Sequence, residues 1–180
     1  FVENPTSDFM VDVIKSLNLD YITTNPGSSF EGLHESLINY GGNKSPELLT
    51  CLHEESAVAM AHGYAKIEGR PMMALLHGTV GLMHGSMAIY NAYADRVPVY
   101  IMAANHQDPA GGVNAYHSAQ DLGALVRDFV KWDAETLSAE QFAQSAVRAY
   151  KIGMTPPMGP TLVVIDHEMQ GEPLSDRSHL

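Results

Sequence analysis

Short unbroken apolar runs alternate with helix-period segments along the whole chain. Phe9, Val11, Val13, Ile14 and Leu17 fall on one face of a first helix that Ser7 or Asp8 would cap. Residues 21–24 read as a short buried strand ended by the turn Asn25-Pro26-Gly27-Ser28, and a helix is expected over 29–40, stopped by Gly41-Gly42-Asn43. A second strand is expected over 48–52. His53-Glu54-Glu55-Ser56 then opens a helix that runs to Ile67 and ends before Gly69.

The same alternation continues. Residues 72–76 form an apolar strand, 77–81 a glycine-bearing turn, 82–93 a helix rich in small and apolar residues, and 97–103 another strand. A looser segment covers 105–114, and a short helix is expected over 118–126. Leu137-Ser138-Ala139-Glu140 begins a capped helix to Ile152, a loop with three prolines covers 154–160, and 161–165 is the last strand. The domain is taken as residues 1–170, with 171–180 a linker or disordered tail.

Apolar strands separated by helices argue for an α/β fold, a parallel sheet flanked by helices on both faces in one three-layer domain. Ligands in such folds sit beyond the carboxyl ends of the strands. Three turns occupy that place here: 25–28, 53–55 and 77–81.

Composition narrows the partners. Among 180 residues, 10 Lys and Arg stand against 21 Asp and Glu, a formal charge of −11, which speaks against nucleic acid and anionic membrane surfaces. The apolar runs are far shorter than the roughly 20 residues of a bilayer span. The single cysteine, Cys51, excludes an internal disulfide framework and fits a reducing compartment, so a cytoplasmic location is expected.

Individual signals are modest. Glu54 and Glu55 suit a helix start, where carboxylates meet the positive end of the dipole. His53-Glu54 is no zinc-protease motif, because the position four residues after His53 is Ala57. The nine histidines supply no His or Cys pair at i, i+4, and no metal site is expected. Gly78, Gly81 and Gly85 could mark a phosphate-binding turn, although they match no established fingerprint. Gly63 is expected to permit close helix packing, and Cys51 to be a buried small hydrophobe.

Taken together, these residues carry a resemblance. The series is Asn25-Pro26-Gly27-Ser28 after a strand, then His53-Glu54 with Gly63-Tyr64-Ala65 nine to eleven residues after Glu54. His77-Gly78-Thr79-Val80-Gly81, Arg96-Val97-Pro98-Val99, Lys131-Trp132 and Gly159-Pro160-Thr161-Leu162-Val163 follow in order. The series resembles the pyrimidine-binding domain of thiamine diphosphate-dependent enzymes, the group of acetolactate synthase and benzoylformate decarboxylase, over residues 6–170.

The resemblance implies a set of roles. Glu54 falls on the cofactor-activating glutamate, and Asn25, Pro26 and Gly27 on the loop that lines the cofactor and substrate pocket. Thr79 and His84 fall on the cofactor-facing start of the next helix. His77, twenty-three residues after Glu54, falls on a histidine that the decarboxylases use for proton transfer, and Ser28 on a serine near the substrate carboxylate. There are departures. Gly78-Thr79-Val80-Gly81 replaces a Ser-Gly-Pro-Gly type of turn, His84 a usual Asn, His62 a usual Asp, and Tyr116-His117-Ser118 a Phe-Gln-Glu-like segment of the synthases.

The resemblance also implies thiamine diphosphate as cofactor, a 2-oxo acid as substrate, and Mg²⁺ held by a Gly-Asp-Gly motif. This chain has no Gly-Asp pair. The Mg²⁺ ligands are therefore expected on a diphosphate-binding domain or subunit, and a homodimer or homotetramer is expected. The chain would be an excised domain or one subunit of a split enzyme, inactive alone. The alternative is a non-catalytic ligand-binding or regulatory module of the same architecture.

Overall fold

The computed structural model describes residues 3–106 and 117–174. Among these residues six strands form one sheet: β1 (Tyr21–Thr24), β2 (Glu47–Thr50), β3 (Met73–Leu76), β4 (Tyr100–Asn105), β5 (Trp132–Thr136) and β6 (Thr161–Asp166). The order is β2-β1-β3-β4-β6-β5, and every pairing is parallel. Six α-helices accompany them: α1 (Thr6–Ser16), α2 (Glu31–Asn39), α3 (Glu54–Glu68), α4 (Thr79–Ala94), α5 (Ala139–Met154) and α6 (His167–Gly171).

The period-two alternation of the strands divides the apolar side chains between two cores. Met73, Leu75, Tyr100, Met102, Val163 and Ile165 face α1, α2 and α5. Ala74, Leu76, Ile101, Ala103, Leu162 and Val164 face α3 and α4. Strands buried on both faces need continuous apolar runs, and the three-layer α/β reading holds for that reason. Among the described residues no helix is long and apolar enough to cross a membrane.

The chain runs from β1 out to the edge strand β2, then crosses back to β3 on the other side of β1. The topological switch therefore lies between β1 and β3, and their carboxyl ends open the crevice that such a reversal creates. The turn after β1 begins at Asn25 and the turn after β3 at His77, so these two loops are neighbours.

Several local expectations are corrected. Ser7 and Asp8 do not cap α1, which has Pro5 at its N-cap; they lie inside the helix, where the Ser36 hydroxyl contacts both. Helix α4 begins at Thr79 rather than Leu82, which shortens the turn after β3 to His77-Gly78. In place of a helix over 118–126 there are 3-10 turns at Gly123–Leu125 and Arg127–Phe129. Arg127 binds both Asp121 and Asp133 there and ties the segment to β5. Strand β5 itself escapes the pattern reading, because an edge strand carrying Asp133 and Glu135 has no continuous apolar run.

The segment after Asn105 falls mostly in 107–116, outside the described residues. Residues 171–174 of the expected tail are held against the domain, and 175–180 lie outside the described residues. Gly171 closes α6, the Thr6 amide and hydroxyl both donate to the Glu172 carbonyl, and Pro5 bridges Pro173.

Candidate functional site

Helix α3 presents its first residue to the crevice. His53, the N-cap, accepts the Glu55 amide hydrogen at Nδ1 (3.2 Å), and Gly69 closes the helix in the left-handed region at φ 72°. This entry angle buries Glu54, only 5% exposed, and leaves Glu55 in solvent. The Asn25 amide donates to Glu54 Oε1 at 3.1 Å, and His84 Nδ1 lies 3.5 Å from Oε2. His84 is itself exposed on α4 and stacks on His53 at 5.0 Å between ring centroids.

A buried carboxylate ordinarily pairs with a cation or collects several hydrogen bonds. Among the described residues no Lys or Arg reaches Glu54. Glycines bring α4 close against it. A Cβ on Gly81 would stand 3.4 Å from Glu54 Oε1 and 3.0 Å from the His77 Cβ, and one on Gly85 would stand 3.3 Å from Leu76 and Val58. The glycines of α4 let the helix approach α3 and β3 and do not form a phosphate turn. Gly78 has the same role: a Cβ there would lie 2.5 Å from the His117 carbonyl oxygen. Close packing is absent at Gly63, where an added Cβ meets nothing within 4 Å.

His77 ends β3 with its ring enclosed, 8% exposed, against Gly27. Its neighbours fix its tautomer. The Ser29 backbone N–H can only donate, and it points at Nδ1 from 3.4 Å. The Ser29 hydroxyl accepts from the Gly78 amide and donates to the same Nδ1 at 2.7 Å. Nδ1 is thus an acceptor, and Nε2–H donates to His117 Nδ1 at 2.8 Å. Burial, with the nearby rings of His117 and His106, pushes the His77 pKa down against the pull of Glu54.

The expected residues divide into two groups. Asn25, Gly27, Glu54, His77 and His84 come together. Ser28 and Pro26 are exposed and line, with Glu31, His34 and Glu35, an open cleft of about 910 Å³ whose described lining includes neither Glu54 nor His77. Ser29, not Ser28, is the serine bound to His77. Thr79 sits at the start of α4 with a buried hydroxyl that has no partner among the described residues. His62 lies apart, 3.1 Å from Asp95.

Sequence reasoning missed Ser29, one residue from the expected hydroxyl. It also missed His117, which no spacing rule connects to His77. It discounted metal ligands because it sought pairs within one element. Here His53, Glu54 and His84 each offer a ligand atom within 4.8 Å of the others from two different helices and a cap.

The fold is a parallel α/β domain with a buried carboxylate beside its topological switch, the place where such folds bind ligands. The chain belongs to the thiamine pyrophosphate enzymes: residues 5–125 match their N-terminal TPP binding domain. It is 30% identical over 151 residues to benzoylformate decarboxylase of Pseudomonas aeruginosa, covering 79% of this chain and 29% of that protein. To the acetolactate synthase large subunit of Haemophilus influenzae it is 26% identical, over 88% of this chain and 27% of that one. The fold of benzoylformate decarboxylase from Polynucleobacter necessarius superposes with a TM-score of 0.85 at 20% identity, over 99% of this chain and 33% of that structure. The chain thus spans about a third or less of the proteins it matches.

Proposed function

We propose that this chain is the pyrimidine-binding half of a thiamine diphosphate-dependent enzyme that decarboxylates or ligates a 2-oxo acid, with Glu54 as the carboxylate that engages the cofactor. The observation that carries this is a buried carboxyl group with no Lys or Arg partner among the described residues, held at the switch crevice by Asn25. A carboxyl group so placed can share a proton with a ring nitrogen such as that of an aminopyrimidine. The buried, unpartnered Thr79 hydroxyl is a further feature that suits a polar heterocycle.

Asn25 would orient the Glu54 carboxyl, Pro26 and Gly27 would line the pocket, and Thr79 and His84 would flank the cofactor at the start of α4. When bound, thiamine diphosphate supplies an electron sink for the pair released as a 2-oxo acid loses CO₂. The neutral His77, held at Nδ1 by Ser29, keeps its proton at Nε2 and donates that hydrogen bond to Nδ1 of the exposed His117, which orients the His117 ring. This arrangement favours a decarboxylase-like proton relay, delivered by His117 because both His77 nitrogens are engaged.

The diphosphate and Mg²⁺ would be held by a second domain or subunit. The exposed Met60 and Ile67 of α3 and Met83, Met87, Tyr90 and Tyr93 of α4 offer an apolar face for it. The full protein should release CO₂ from aryl or alkyl 2-oxo acids only when thiamine diphosphate and Mg²⁺ are both added. CO₂ release that persists after complete cofactor removal would overturn the proposal.

A further inference from the structure

A second cluster of ligating side chains lies at the same end of the sheet, outside the group around Glu54. Strands β4 and β6 are paired in register to their last residues, Asn105 opposite Asp166. The next residue on each strand is a histidine. His106 and His167 therefore emerge side by side, with ring centroids 4.2 Å apart at 43°. Glu168 follows directly, its Oε1 4.0 Å from His106 Nδ1. Each of the three offers a ligand atom within 4.8 Å of the others.

We infer that His106, His167 and Glu168 form a binding site for a first-row divalent cation of the zinc type. Two imidazoles and one carboxylate are the donor set that zinc, cobalt and nickel prefer, whereas Mg²⁺ and Ca²⁺ take all-oxygen sites. Bonds of roughly 2.0–2.2 Å require the three ligand atoms to close by a small rotation of side chains. His106 and Glu168 are 17% and 50% exposed, so the entry path is open and the carboxylate is free to swing.

His167 Nδ1 donates to the Ser29 carbonyl at 3.2 Å, which leaves its Nε2 lone pair for a metal. Gln170 donates to the same carbonyl at 2.9 Å and accepts the Leu33 amide, fixing α6 against the loop after β1. Asp166 Oδ2 accepts the Met169 amide and sets the direction in which Glu168 leaves β6. Three protein ligands leave a coordination position for water, as in an exchangeable site. An ion there would clamp the exit of β4 to α6 and, through Ser29, to the loop that holds His77.

The test is Zn²⁺ titration by calorimetry, with Co²⁺ absorption as a second readout. It uses the full protein stripped of metal by a chelator, in excess Mg²⁺ to fill oxygen-donor sites. The wild type should bind one Zn²⁺ that is lost in H106Q/H167Q. E168Q should weaken it by at least the roughly 10–100-fold that loss of a supporting partner costs. H53Q/H84Q should bind as the wild type, and circular dichroism confirms that each variant is folded. Unchanged Zn²⁺ binding by H106Q/H167Q, loss confined to H53Q/H84Q, or no binding by the wild type would each overturn the inference.

Discussion

Asn25 donates to Glu54 across 3.1 Å, and this bond joins the loop after β1 to the first turn of α3. The two residues are 29 apart in sequence and meet because β1 and β3 flank the topological switch, with α3 leading from one side to the other. The carboxyl group is thereby oriented before any ligand arrives, as preorganised sites require. N25A should leave the fold intact and lower thiamine diphosphate-dependent turnover, with cofactor affinity reduced in parallel. Steady-state kinetics at saturating and limiting cofactor would show whether both parameters move; unchanged values would remove Asn25 from the site.

The line Ser29–His77–His117 makes a prediction about proton movement. H77Q and H117A should each lower kcat on 2-oxo acids by about 10²–10⁴-fold, the range of general acid–base groups. Because the two act in series, the double variant should be little worse than either single one. Additive losses would show that the two histidines act independently.

The same histidine governs acid stability. Its native pKa lies below the ordinary value, with burial as the main cause. The neutral form is therefore favoured on folding. Its contribution is fully present above the unfolded value near 6.5 and is lost as pH falls from there through the native value. H77Q cannot protonate, so its urea midpoint should change less with pH from about 6.5 downward. A variant as steeply pH-dependent as the wild type would contradict the shift.

How much of this was legible in sequence depended on range. The strands buried on both faces announced themselves by continuous apolar runs, and the nine-residue spacing from Glu54 to Gly63 distinguished one carboxylate from its neighbour. What the spacing did not tell is their burial: Glu54 is enclosed and Glu55 exposed. Partners distant in sequence were not legible. His117 meets His77 across 40 positions, and Ser29, on the 3-10 turn after β1, meets it across 48. The edge strand β5 was missed because Asp133 and Glu135 break its apolar run and only Thr136 of its five residues is fully buried.

The glycines allow a contrast. At Gly78 a Cβ would press on the backbone oxygens of His117 and Ala104, at 2.5 and 2.9 Å, neither of which can rotate away. G78A should cost about 1–3 kcal/mol, as overpacking does. At Gly63 the space is open and the residue lies within α3, so G63A should stabilise the isolated chain by about 0.5–1 kcal/mol through helix propensity. Urea unfolding of both variants measures the difference, and equal effects would contradict the packing described.

The central claim is that the Glu54 carboxyl activates the cofactor. Its most direct measurement is hydrogen–deuterium exchange at C2 of thiamine diphosphate bound to the full protein. E54Q should fold and bind cofactor yet slow this exchange by about 10²–10⁴-fold, while E55Q exchanges as the wild type does. Wild-type exchange in E54Q, or a loss confined to E55Q, would contradict the account.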